Sequence, residues 1–115
     1  IEIESGASIG CYCRIGSSQI TRIGKKALLA SYVYVIGADH DTSRTDTPII
    51  DQPNLSRGGA TIGDGAWLGT KSTVLDGVSV GHDSIVGAHS LVTRDLPAFS
   101  VAVGSPARVI RNRKD

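Results

Sequence analysis

The sequence predicts an all-β solenoid: a triangular prism of about four stacked coils, with three parallel sheets around an aliphatic centre. Three observations predict it. The first is a strict spacing of six between Ile62, Leu68, Val74, Val80, Val86 and Val92. With 29 Ile, Leu and Val among 115 residues, six consecutive hits arise by chance roughly once in 4,000 trials. The second is glycine, 14 of 115 residues, or about 12% against a usual ~7%. The third is that only five aromatic side chains accompany a 40% hydrophobic composition. Layered globular cores use aromatics to fill the space between layers; a core of Ile, Val and Leu is narrow and repetitive instead.

Each six-residue unit reads as one short strand plus a corner. The aliphatic residue points inward. The glycine that follows it in Gly63, Gly69, Gly81 and Gly87 permits a positive φ or a close backbone approach. Four places on stands a small or β-branched residue, Ala66, Ser72, Val78, Ser84 or Ser90, with Leu96 as the sixth; this is the inward position where two walls converge. Three units close a triangle, so successive coils stack as in other solenoids, with Val80 above Ile62, Val86 above Leu68 and Val92 above Val74. A helix is excluded, because a period of six is out of phase with 3.6 and each interior glycine would cost about 1 kcal/mol.

The N-terminal half repeats the pattern less cleanly. Ile3, Ile9 and Ile15 are six apart, two extra residues intervene, and Ile23, Leu29 and Val35 resume, with Gly10, Gly16 and Gly24 again following their aliphatics. Residues 38–59 break the period. This insertion holds Asp39, Asp41, Asp46 and Asp51 and ends in Gly58–Gly59; unpatterned loops of such length in compact chains are usually functional. At the C-terminus, residues 105–114 read as a short helix with Ser105 as N-cap and Pro106 at the first helical position. The whole of 1–115 is read as one domain.

Twelve basic and eleven acidic residues give a net charge of +1, which excludes a chain whose bulk charge recruits nucleic acid or an acidic membrane. No run of ~18 apolar residues exists to span a bilayer, and no charged region followed by an apolar one marks a secretory signal. Cys11 and Cys13 lie too close together for a long-loop staple and read as reduced thiols of a cytoplasmic protein. The sequence has no methionine, so Ile1 is not a translated start, and a trimmed form is expected.

Four segments, GADHD (37–41), GDGAWLG (63–69), VTRDLP (92–97) and GSPARVIR (104–111), together with the repeat, make the chain resemble the hexapeptide-repeat acyltransferases. The resemblance covers nearly the whole chain. It implies a left-handed parallel β-helix, a homotrimer with active sites between subunits, and acetyl-CoA as cosubstrate in a groove between neighbouring prisms, with no metal. Residue by residue, His40 matches the catalytic histidine and Trp67 the tryptophan beside the coenzyme groove. Thr70, Ala88, Thr93, Arg94, Arg108 and Arg111 match coenzyme contacts. One departure is that Ser8, Gly10, Cys11 and Cys13 stand where some sugar acetyltransferases carry polar acceptor-binding residues, which leaves the acceptor open.

The residue chemistry agrees with that assignment. An acceptor hydroxyl must lose its proton as it attacks a thioester, and imidazole is the side chain suited to take it at neutral pH. Transfer is expected to be direct, since no Ser or Cys pairs with a base in the matching motif. Asp39, Asp41 or a backbone carbonyl is expected to orient the ring. Arg108 and Arg111 would share a face of the expected tail helix and suit phosphates. Trp67 follows the inward Ala66, so its ring should point outward. His82 and His89 fall at outward positions and read as surface residues. The metal-dependent rival, a carbonic anhydrase on the same fold with zinc held by three histidines, lacks its pair of neighbouring histidines here. The expected activity is acetyl transfer from acetyl-CoA to a hydroxyl of a saccharide-type acceptor. The rivals are N-acetylation of an amino sugar or xenobiotic, and a non-catalytic trimeric scaffold or truncated remnant.

Overall fold

A computed structural model describes residues 1–115. The chain winds into four complete coils of three two-residue strands. The first holds β1 (Glu2–Ile3), β2 (Ser8–Ile9) and β3 (Arg14–Ile15), and the second β4 (Arg22–Ile23), β5 (Leu28–Leu29) and β6 (Tyr34–Val35). The insertion then contributes β7 (Asp39–His40) and β8 (Asn54–Leu55). The third coil holds β9 (Thr61–Ile62), β10 (Trp67–Leu68) and β11 (Thr73–Val74). The fourth holds β12 (Ser79–Val80), β13 (Ile85–Val86) and β14 (Leu91–Val92). The chain ends with β15 (Ser100–Gly104) and β16 (Ala107–Asn112). The expected hexapeptide-repeat parallel β-helix is the fold observed.

Three sheets run along the prism. The first is β1-β4-β9-β12, the second β2-β5-β10-β13-β15-β16, and the third β3-β6-β11-β14. All pairings between coils are parallel and in register. Val80 stacks on Ile62, Val86 on Leu68 and Val92 on Val74. Ile3, Ile9 and Ile15 stack on Ile23, Leu29 and Val35, which in turn meet Ile62, Leu68 and Val74. The two extra residues before Ile23 and the long insertion before Ala60 therefore leave the register untouched. The core is the predicted column of aliphatics, and Ala66, Ser72, Val78, Ser84 and Ser90 fill the inward corner positions.

The glycines that follow the aliphatics work by close approach and not by positive φ. Gly10 lies against the backbone of Ser31 and Gly69 against that of Ala88, leaving no room for a Cβ. The left-handed residue comes two places after that position, which is Ala30 in one coil: Tyr12, Lys26, Tyr32, Lys71, Asp83 and His89 all have φ between 54° and 63°. These non-glycine corners are imposed by the stacking of coils.

One element departs from expectation. Residues 105–114 form no helix; β16 turns back antiparallel on β15, with Gly104 opposite Ala107 and only Ser105–Pro106 between. Two physical reasons favour the hairpin. Val109 and Ile110 are β-branched and prefer extended backbone. A helix would also leave the edge of β15 unpaired at the end of the sheet, an edge that β16 covers.

Candidate functional site

The insertion leaves the third sheet after β6 and re-enters the first sheet at Ala60. Both ends are pressed against the coil below, Gly37 on Gly16 and Gly59 on Ile20, so that neither position admits a side chain. Between them β7 and β8 pair antiparallel, with Asp39 opposite Leu55 and His40 opposite Asn54. Two buried polar side chains organise the rest. Gln52 donates to the carbonyls of Arg44 (2.9 Å) and Thr47 (2.8 Å) and accepts from the Arg44 amide at 3.1 Å. Asp76, 4% exposed, accepts from the amides of Arg57 (2.7 Å) and Gly59 (2.9 Å) and fastens the returning strand to the prism. Sequence reading singled out neither residue. Each is one polar side chain in an ordinary local context, and its role depends on backbone partners five or more positions away.

His40 is exposed, and its imidazole has no hydrogen-bond partner within the chain. The expected orientation by Asp39 or Asp41 is not found. Asp39 accepts from the backbone amide of His40 at 2.8 Å and pairs with Arg57 at 3.3 Å; these two contacts, the amide first, hold its carboxyl below the usual range. Asp41 instead accepts from the Ser43 amide at 2.9 Å. His40 lines a cleft of about 260 Å³ with Arg14, Gly16, Ser17, Tyr34, Ile36, Gly37 and Ala38. A second cleft of about 340 Å³ at the loop root is lined by Ile36, Asp39, Arg57, Leu75, Asp76, Val78 and Thr93. Arg94 follows Thr93 and is exposed.

The other expected site residues gather elsewhere. Trp67 points outward from the second sheet, 48% exposed, between Leu28 and Ile85. Thr70 lies at the corner where the second sheet passes to the third, and its hydroxyl donates to the Ser31 carbonyl at 2.7 Å. Ala88 occupies the same corner one coil on, where the His89 amide donates to the Thr70 carbonyl. Arg111 stands opposite Val101, and a register shift then brings Arg108 opposite Val103. Directly opposed residues share a face, so both arginines stand on the outward side of the second sheet, unpaired with any carboxylate. His82 and His89 are exposed as expected; His82 Nδ1 lies 2.9 Å from an Asp83 carboxylate oxygen, with its ring edge-on to Phe99.

The structure thus forms two clusters. Trp67, Thr70, Ala88, Arg108 and Arg111 lie along the second sheet and its corner; His40, Thr93 and Arg94 lie at the far edge of the third. The prism of stacked hexapeptide coils carries a histidine on a long insertion, and an exposed tryptophan on β10 with two arginines three strands along the same sheet, on β16. Residues 59–94 match the family model described as bacterial transferase hexapeptide (six repeats). The probable acetyltransferase Rv3034c of Mycobacterium tuberculosis is 36% identical over 80% of this chain, which spans 30% of that protein. The putative lipopolysaccharide biosynthesis O-acetyl transferase WbbJ of Escherichia coli is 30% identical over 96% of this chain, which spans 60% of it. Among solved structures, the N-acyltransferase AntD of Bacillus cereus, in complex with dTDP-4-amino-4,6-dideoxyglucose and coenzyme A, superposes with a TM-score of 0.82 at 24% identity. That match covers 98% of this chain and 63% of AntD. The chain carries the hexapeptide repeat of bacterial transferases, and spans less than two thirds of the length of these relatives.

Proposed function

We propose that the chain is the catalytic prism of an acetyl-CoA-dependent O-acetyltransferase, with His40 as general base toward a hydroxyl of a saccharide-type acceptor. The observation that carries this reading is the separation of the two clusters. They lie on opposite edges of the third sheet, about five or six residues of extended chain apart, or about 15–20 Å. Neither is a complete site alone. A cyclic homotrimer, in which every interface sets one edge of a prism against a different edge of the next, would bring His40 of one copy to the Trp67 edge of its neighbour.

In that arrangement Arg108 and Arg111 would hold the coenzyme phosphates as charge-assisted, bidentate donors, with Trp67, Thr70 and Ala88 along the pantetheine and Thr93 and Arg94 at the closing edge. The imidazole of His40, free of internal partners, would take the acceptor proton as the oxygen attacks the thioester carbonyl. The thiolate of coenzyme A leaves, and backbone amides would stabilise the oxyanion. No metal enters the scheme, and a cytoplasmic setting would keep the free thiols of Cys11 and Cys13 reduced. The amine-acceptor alternative draws support from the AntD fold likeness; WbbJ, the nearer in sequence, supports the hydroxyl.

The test is calorimetry with acetyl-CoA on wild type, Arg108→Ala/Arg111→Ala and His40→Ala, followed by turnover on paired hydroxyl and amine acceptors. The expected result is saturable binding at one site per chain, weakened in the double arginine variant and unchanged in His40→Ala. His40→Ala should lose about a hundredfold or more of turnover, the usual worth of a positioned general base. Absence of binding up to millimolar ligand would make the scaffold reading the correct one, and turnover within a few-fold of wild type would remove His40 from the base role.

A further inference from the structure

We propose that the cleft beside His40 is an anion-selective acceptor subsite, in which Arg14, braced on the ring of Tyr34, binds the carboxylate or phosphate of a negatively charged saccharide unit. The word "acceptor" rests on the transferase reading above; the anion site rests on the third sheet alone.

Arg14 and Tyr34 are register partners on β3 and β6. They therefore project to the same outward face, one coil apart. The guanidinium carbon lies 5.4 Å from the Tyr34 ring centroid, a cation–π distance. This contact restrains the guanidinium while its N–H groups stay free of protein acceptors, and a guanidinium can meet a carboxylate or phosphate with two parallel hydrogen bonds.

Arg14 is also uncompensated. Arg22, Arg44 and Arg57 each pair with a carboxylate within 3.3 Å, whereas Arg14 takes part in no ion pair and donates no side-chain hydrogen bond. No acidic side chain lines the His40 cleft. Both acids adjacent to His40 in the chain are engaged: Asp39 accepts from the His40 amide and from Arg57, and Asp41 accepts from the Ser43 amide. A fixed, unpaired cation at one wall of a concave site and a free imidazole at another select a ligand with an anionic group on one side and a protonated oxygen on the other. The cleft's volume of about 260 Å³ falls just below the ~300 Å³ at which drug-sized ligand sites begin, so it admits one sugar unit.

The two sources of negative charge, a ring carboxylate and a linked phosphate, are separated by the probes. Binding of glucuronate, glucose 1-phosphate and glucose to the full chain is followed by NMR and calorimetry without acetyl-CoA, on wild type and Arg14→Ala, with thermal unfolding as the fold control. The expected result is that one or both anionic sugars bind more tightly than glucose and shift the resonances of Tyr34 and His40. Arg14→Ala should weaken the anion by about tenfold or more, the worth of a lost charge-assisted contact, and leave glucose unchanged; Arg14→Lys should recover part of the loss. A shift with glucuronate alone assigns the carboxylate, and one with glucose 1-phosphate alone assigns the phosphate. Equal affinity for glucose and both anions, anion affinity unchanged in a folded Arg14→Ala, or no binding by any of the three overturns the proposal. Because no turnover is required, Arg14-dependent binding together with full activity of His40→Ala would keep the anion site and remove the catalytic assignment.

Discussion

Ser72 sits wholly inside the prism, and its hydroxyl has no hydrogen-bond partner. It belongs to an inward column with Cys13, Val33 and Ser90. Cys13 donates to the Ala30 carbonyl, Val33 needs no partner, and the Ser90 hydroxyl accepts from the Gly104 amide at 3.0 Å. An unsatisfied buried hydroxyl costs about 1–3 kcal/mol. Ser72→Ala is therefore expected to leave the midpoint of thermal unfolding unchanged or raise it. Ser90→Ala should lower it by orphaning an amide. A marked fall for Ser72→Ala would show that the hydroxyl has a partner. The sequence made the small size of both residues legible, because both fall on the same repeat position. It could not show which of the two is bonded, since that depends on where β15 passes. Asp76 and Gln52 were illegible for the same reason: each is defined by backbone groups brought to it by the fold.

The insertion is held to the prism at Gly37, Gly59 and Asp76 and internally by Gln52, yet its charged contacts lie in water. Asp39, Asp41 and Asp46 all titrate below the usual carboxylate range, because of the His40 amide, the Ser43 amide and the Arg44 guanidinium respectively. A carboxyl lowered in the folded state contributes stability above its unfolded pKa and loses it as pH falls through the folded one. The insertion should thus loosen before the prism as pH drops below about 4, by a small amount per group because all three are solvent-screened. Hydrogen exchange checks this: the amides of β7 and β8 should lose protection in acid while Leu68 and Val74 retain theirs. Simultaneous loss would mean that loop and prism open together. The C-terminal hairpin carries the complementary lesson. Ser105–Pro106 is a legitimate helix start in isolation, and a free sheet edge with β-branched Val109 and Ile110 overrides it.

Along the whole prism, 50 Å in its longest dimension, burial is uneven. Ile62, Leu68 and Val74 are fully buried, whereas their counterparts Ile3 and Ile9 in the first coil are 52% and 36% exposed. In a solenoid each coil is stabilised mainly by its neighbours, and the first coil is packed on one side only. Leu68→Ala should therefore cost about 2–5 kcal/mol, and Ile9→Ala clearly less. Denaturant unfolding compares them, and equal losses would mean that the coils share stability evenly. Hydrogen exchange should show the first coil opening most readily.

The sequence by itself determined the coil. The inward aliphatic, the glycine pressed on the next coil and the small corner residue are local requirements repeated at every turn, so a period of six is readable without knowing any long-range contact. It also marked His40, Trp67 and the two tail arginines by their place in motifs. The tertiary structure decided what meets what. Arg14 and Tyr34 meet in the cleft that His40 lines only because the chain returns to register after two extra residues before Ile23. His40 and Trp67 are kept a sheet's width apart by the same closure, and the tail becomes a strand because β15 offers it an edge. These outcomes depend on register and on partners distant in sequence, and a repeat whose every unit looks alike carries little information about either.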